Sequence, residues 1–210
     1  MRENPPGEER ILRAALQRFA VDGLSAPLRR VAEDAGVSAG LIIHHFGSRE
    51  NLLRLCDERA LEVTRREKST LLTGGSGELL VQLAQAEEYA PLAGYVLRRL
   101  QDGGPLAAQL VEDFANATED YLAEGERAGS ISPSRDPRAR ARVLTEMALG
   151  ALLLQLPGRG DTLDLAELPT WMRQHTQRMV APLLELYSIP LLTDRSMLDA
   201  YLASDTEENT

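Results

Sequence analysis

Apolar positions along this chain recur every three to four residues and almost never alternate, so the sequence predicts helices and no sheet. From about Glu8 to Asp22, Ile11, Leu12, Ala15, Leu16 and Phe19 share one helical face, and Gly23 stands where a left-handed residue would end the helix. Pro27 suits the first position of a second helix that runs to Ala35 and stops at Gly36. Ser38 then caps a short third helix to about His45, and Gly36-Val37-Ser38 is the length of turn that joins two crossed helices. Gly47 breaks that helix. Ser48 caps a fourth, with Glu50 in its first turn where a negative charge meets the positive end of the helix dipole. This fourth helix continues through Leu52, Leu55, Cys56, Arg59 and Val63 to about Leu72.

The segment Thr73-Gly74-Gly75-Ser76-Gly77 has three glycines in four positions and is expected to be a connector. It lacks the Lys-Ser or Lys-Thr ending of a phosphate-cradling loop. Further helices are expected at 78–101 with a break near Pro91, and at 105–128, 137–156, 169–188 and 194–203. Asp136-Pro137 forms a cap followed by proline at the first helical position. Residues 205–210 are acidic and expected to form a disordered tail. The longest apolar run, Met147 to Leu156, contains Gln155 and ends at Pro157, far short of the roughly 20 apolar residues that cross a bilayer. The first ten residues hold no apolar segment, so neither a signal peptide nor a membrane partner is expected.

Charge sharpens this division. The net charge is −9, but residues 1–60 carry nine arginines and nine acidic residues, leaving 14 basic and 23 acidic side chains in residues 61–210. The acidity belongs to the body, and the amino-terminal segment remains free to meet phosphate. A single cysteine, Cys56, excludes an intramolecular disulfide framework and fits a reducing, cytoplasmic location. Its apolar helical neighbours Leu52, Leu53 and Ala60 make it a core filler. His44 and His45 are adjacent and point about 100° apart on a helix, with no Cys, Asp or Glu three or four positions away, so no metal site is expected. No cofactor motif is present, and no Ser or Cys nucleophile stands near a base in a recognisable local pattern.

Two short helices joined by a tight turn are common by themselves. Here the string from Leu28 to Leu53 adds an AxxAGVSxG block (Ala32 to Gly40), the pair His45-Phe46, and Ser48-Arg49-Glu50 followed by Leu52-Leu53. In these residues, behind an amphipathic first helix, the chain resembles the TetR family of bacterial regulators over about residues 8–65. The resemblance implies an all-α fold: an amino-terminal three-helix helix-turn-helix domain (1–60), joined by a fourth helix to a larger helical ligand-binding and dimerisation domain (61–204). Val31, Ala32, Ala35, Val37, Ile42 and Phe46 would fill the small core. Ala39, Gly40, Leu41, Ile43, His44 and His45 would lie outward on the helix that enters the major groove. Arg29 matches a position that can reach a base edge, and Ser38 and Arg49 would meet backbone phosphate at helix amino termini. The family commonly has threonine where Leu41 stands and tyrosines where Ile43 and His45 stand. An aliphatic pair there offers contact with thymine methyls instead. A hydroxyl cap before the second helix is also usual, and Ala26 supplies none.

In the body, Met147, Leu149, Gly150, Ala151, Leu153 and Leu154 make the 137–156 helix too apolar all round for one facing water. It and the 169–188 helix are expected to pair across a two-fold axis. The competing reading is an intramolecular core helix. Tyr89, Tyr95, Phe114, Tyr121, Met147, Trp171 and His175 are the side chains suited to line an apolar pocket with polar tips. The resulting expectation is a homodimeric repressor that binds a palindromic double-stranded DNA operator and leaves it when a small-molecule effector enters the body. Two alternatives stand beside it: a regulator of the same fold that activates or takes no effector, and a helical enzyme with a vestigial DNA motif.

Overall fold

The computed structural model describes residues 6–154 and 167–208, and every regular element among them is helical. They are α1 (Pro6–Asp22), α2 (Leu28–Ala35), α3 (Ala39–Phe46), α4 (Arg49–Gly74), α5 (Ser76–Ala84), a 3-10 turn (Ala86–Tyr89), α6 (Ala90–Asp102), α7 (Gly104–Ala128), α8 (Pro137–Leu154), α9 (Leu168–Ser188) and α10 (Ser196–Glu208). The chain forms two compact units, Met1–Arg173 and Gln174–Thr210.

In the first unit the α1 face predicted from periodicity is fully used: Ile11, Leu12, Ala15, Leu16 and Phe19 are all buried. They join Val31, Ala32, Ala35, Ile42, Phe46, Leu52, Cys56 and Ala60 in one cluster, which continues without a break into Tyr95 and Val96 of α6 and Leu110 and Phe114 of α7. The helix-turn-helix and the body therefore share a core. Burial pushes the Cys56 thiol pKa far up, as suits a packing residue rather than a reactive one. Further along, α4 lies against α7 and α7 against α8. A buried pair of hydroxyls, Thr118 and Thr145, meets at 2.9 Å between α7 and α8. At the other end of α7, a Cβ on Gly125 would stand 2.7 Å from Ile131 and 3.3 Å from Leu72. Glycine there allows α4 and the turn after α7 to close in.

Four boundaries differ from the sequence reading. Pro27 is the extended residue before α2 rather than its first helical residue, and no side chain caps that helix. The five-residue connector shrinks to Gly75, whose φ of 78° breaks the chain while Gly74 ends α4 and Gly77 lies in the first turn of α5. Terminal turns tolerate glycine, so only the left-handed residue is decisive. The break expected near Pro91 falls instead at the 3-10 turn before it, with Pro91 in the first turn of α6. Finally, α10 continues through Glu208, into the segment read as a tail. Residues 155 and 156 of the expected 137–156 helix lie outside the described residues.

Candidate nucleic-acid interface

The turn between α2 and α3 is built from local chemistry. Gly36 adopts the left-handed conformation, and the Val37 N–H donates to the Ala32 carbonyl at 2.9 Å, closing α2. Ser38 Oγ accepts from the Leu41 N–H at 3.2 Å and so fixes the start of α3. A hydroxyl that accepts this bond keeps its own proton to donate outward. At the far end, Ser48 Oγ accepts from the Asn51 N–H, and Asn51 Nδ2 donates to the Phe46 carbonyl at 2.8 Å, tying α3 to α4. Arg18 bridges α1 and α2 with bonds of 2.7 and 2.8 Å to Asp34.

With Ile42 and Phe46 buried, the rest of α3 is forced to face out. Gly40, Leu41, Ile43, His44 and His45 are exposed, with Leu41 at 36% and Ile43 at 46%. This agrees with an outward placement of the aliphatic pair. Two outward positions carry qualifications: Ala39 is half-buried and packs against the core, and His45 Nδ1 lies 3.4 Å from a Glu8 carboxylate oxygen on α1. Val37 is likewise only half-buried. Beside α3, the Arg29 side chain is 79% exposed and held only loosely by Glu33 at 3.7 Å, so it is free to extend.

Arg49, expected to meet phosphate, is half-buried at the start of α4 and also has partners inside the chain. Its Nη1 donates to the Leu24 carbonyl at 2.9 Å, and the guanidinium stands 5.8 Å from the Phe19 ring centroid. This arginine braces the loop between α1 and α2.

The seven aromatic, methionine and histidine candidates in the body stand in different surroundings. Tyr95 and Phe114 are core residues, and Met147 is exposed on the outer side of α8. Burial, with the Glu67 carboxylate nearby, pushes the Tyr89 hydroxyl pKa up to about 12. Trp171 is half-buried against a small cluster with Ala90, Leu168 and Met172, while Tyr121 is half-buried on α7. His175 belongs to the second unit, where burial first and Arg178 second lower its pKa. An open cleft of about 380 Å³ between α7 and the start of α8 is walled by Glu112, Asn116, Arg138 and Arg142 and includes none of the seven.

What the sequence reading missed is the joint between the reading head and the body. Asp57 on α4 receives Arg99 of α6 through two bonds, 2.9 Å from Nε and 2.5 Å from Nη2, and the Tyr95 hydroxyl donates to the same carboxylate at 2.6 Å. Arg99 is 4% exposed. Next to it, Arg98 donates to the Ala20 and Val21 carbonyls at 3.1 and 3.2 Å, using the unpaired acceptors at the end of α1. The available signal was an Arg98-Arg99 pair inside an otherwise apolar stretch and an Asp57 beside the buried Cys56.

The sequence matches the family model for bacterial regulatory proteins of the tetR family over residues 11–56 and that for the tetracyclin repressor-like C-terminal domain over residues 87–193. It is 44% identical over 195 residues to the HTH-type transcriptional regulatory protein RaaS of Mycobacterium tuberculosis, covering 92% of this chain and 91% of that one. Among solved structures the fold is similar to that of the fatty acid degradation regulator FadR from Bacillus halodurans (TM-score 0.57, 20% identity, 88% of this chain and 99% of the other). It is also similar to a TetR-family regulator from Rhodococcus sp. (TM-score 0.54, 21% identity, 81% and 96%). With both halves matched in order and the exposed third helix in place, this chain belongs to the TetR family of DNA-binding bacterial transcriptional regulators.

Proposed function

We propose that the protein is a two-fold dimeric repressor whose paired α3 helices enter successive major grooves of a palindromic operator, and that a small molecule bound in the body releases it. In this reading residues 1–60 are the reading head and 61–204 the body, working in the bacterial cytoplasm where the DNA is. Arg29 reaches a base edge, Leu41 and Ile43 meet thymine methyls, His44 and His45 line the same groove, and Ser38 donates to phosphate. Arg49 serves mainly by holding the head together.

The observation that carries the release mechanism is the joint at α6. Arg98 holds the end of α1, and Arg99 with Tyr95 holds Asp57 on α4. A ligand that favours a shifted α6 therefore changes the position of both supports of α3, and it acts only by binding one arrangement better than the other. Pairing is supported by α8, whose Val143 and Met147 remain open to solvent at 54% and 45% in the single chain.

Footprinting with the purified protein tests the reading. It should give a two-fold symmetric protected site with half-site centres spaced by about 34 Å or a multiple of it. Protection of a single asymmetric half-site would overturn the dimeric reading.

A further inference from the structure

The last turn of α3 carries two adjacent histidines that the fold treats differently. His45 Nδ1 lies 3.4 Å from Oε1 of Glu8 in the first turn of α1, and the two side chains are partly covered, 27% and 26% exposed. The His44 and Phe46 rings stand edge-on to the same imidazole, with centroids at 5.7 and 6.4 Å. His44 is exposed and has no carboxylate partner among the described residues.

The other charged groups on the helices around α3 are engaged elsewhere or turned outward. On α1, Glu9 holds Arg59, Arg18 holds Asp34, and Arg10 and Arg13 lie on the exposed side. On α2, Arg29 meets Glu33 and Arg30 meets Asp22. On α4, Arg49 reaches the Leu24 carbonyl, Arg54 meets Glu58, Asp57 meets Arg99, and Glu50 is turned to Ser48 and the start of its own helix. Glu8 is therefore the charged partner of His45. A ring whose Nδ1 serves a carboxylate keeps a proton there whether neutral or charged, so protonation changes only Nε2, from an acceptor to a donor. No described residue bonds the His45 Nε2. A phosphate diester oxygen only accepts, so it pairs with the charged ring alone.

We propose that His45 takes up a proton from solvent when the protein binds DNA and donates Nε2–H to a backbone phosphate, with Glu8 as the positioning residue that holds Nδ1. The proposal rests on reading α3 as the helix in the groove and adds a residue pair and one proton per half-site to that contact. Affinity for DNA should then fall as pH rises, because the charged ring is lost. The chain has three histidines, and the Cys56 thiol titrates far above neutrality, so few groups can answer in this range.

Fluorescence anisotropy of the full-length protein, with a labelled duplex that it selects from random sequence, tests this at fixed ionic strength from pH 5.5 to 7.5. Wild-type affinity should fall by about tenfold per half-site, the lower end for a hydrogen bond between charged groups. His45→Gln should flatten the profile, and His44→Gln should keep its slope. Glu8→Gln should move the fall to lower pH by up to about one unit, since the carboxylate no longer supports the charged ring. With the unaltered protein, duplexes carrying one neutral methylphosphonate at a time should show a position in each half-site where the pH dependence vanishes. A flat wild-type profile, an unchanged slope in His45→Gln, an unmoved profile in Glu8→Gln, or pH dependence that survives every methylphosphonate would each overturn the proposal. Ile43→Glu separates it from the reading beneath it. If that variant still binds the duplex, α3 is not in the groove and both fall; if it does not bind while the wild-type profile is flat, only the histidine contact falls.

Discussion

The joint between α6 and the reading head and the outer side of α8 belong to the same compact unit, yet they are finished to different degrees. At the joint every strong group has its partner inside the chain: Asp57 is met by Arg99 and Tyr95, and the end of α1 by Arg98. Along α8, Ala141 and Thr145 are buried while Val143 and Met147 stand open. Substitution at the first place should therefore damage folding, and at the second should damage association with folding intact.

The largest effect is expected at the joint. Asp57→Ala leaves Arg99 buried without its carboxylate, a loss of about 3 to 5 kcal/mol measured by urea unfolding. Replacing both partners, as in Asp57→Leu with Arg99→Leu, should recover much of it, since it removes the unpaired charge. If the single variant unfolds like the wild type, the joint is not the finished region described here. Next comes α8. A Cβ at Gly150 meets nothing within 4 Å in the single chain, so the protomer accommodates Gly150→Glu. We expect normal helicity, a monomer in sedimentation at micromolar concentration, and operator affinity reduced by about 100-fold, or roughly 2.7 kcal/mol. A variant that stays dimeric would break the contrast by showing that this side of α8 is not the pairing surface.

These expectations also separate what the sequence made legible from what it hid. The boundaries of α3 and α4 were readable because Ser38, Ser48 and Gly47 act on their own neighbours within three or four residues. The glycine-rich stretch misled because glycine count is not geometry, and only Gly75 sits at a break with positive φ. The fate of Tyr95 was out of reach for a different reason. Whether a tyrosine points into a pocket or a core depends on partners 38 and 42 residues away, and neither Asp57 nor Leu53 signals that pairing locally. Arg49 belongs to the same class, since its acceptor, Leu24, lies 25 residues back. Short-range chemistry could be read, and long-range pairing could not.

Two smaller tests probe the reading head itself, where exposure leaves folding unaffected. Arg29→Ala should cost on the order of 1 to 3 kcal/mol and relax preference at one base pair per half-site, measured by competition among operator variants. Unchanged discrimination at every position would remove Arg29 from base reading. The smallest effect concerns Leu41 and Ile43. Replacing a contacted thymine by deoxyuridine removes one methyl, about 0.8 kcal/mol, and should weaken binding threefold to fourfold per half-site. The same replacement outside the footprint should do nothing. If uracil at every thymine of the half-site leaves affinity unchanged, the aliphatic pair reads no methyl group.

The continuous core running from α1 through α4 into Tyr95, Val96, Leu110 and Phe114 limits how freely this molecule could be recombined. A reading head cut out at residue 60 would carry a raw apolar surface where α6 belongs. A chimera that grafts another regulator's head onto this body would inherit mismatched sockets for Arg98 and Arg99. The portable module is therefore the head together with α6, and an exchange of operator specificity between relatives should be drawn along that border or confined to the exposed residues of α2 and α3.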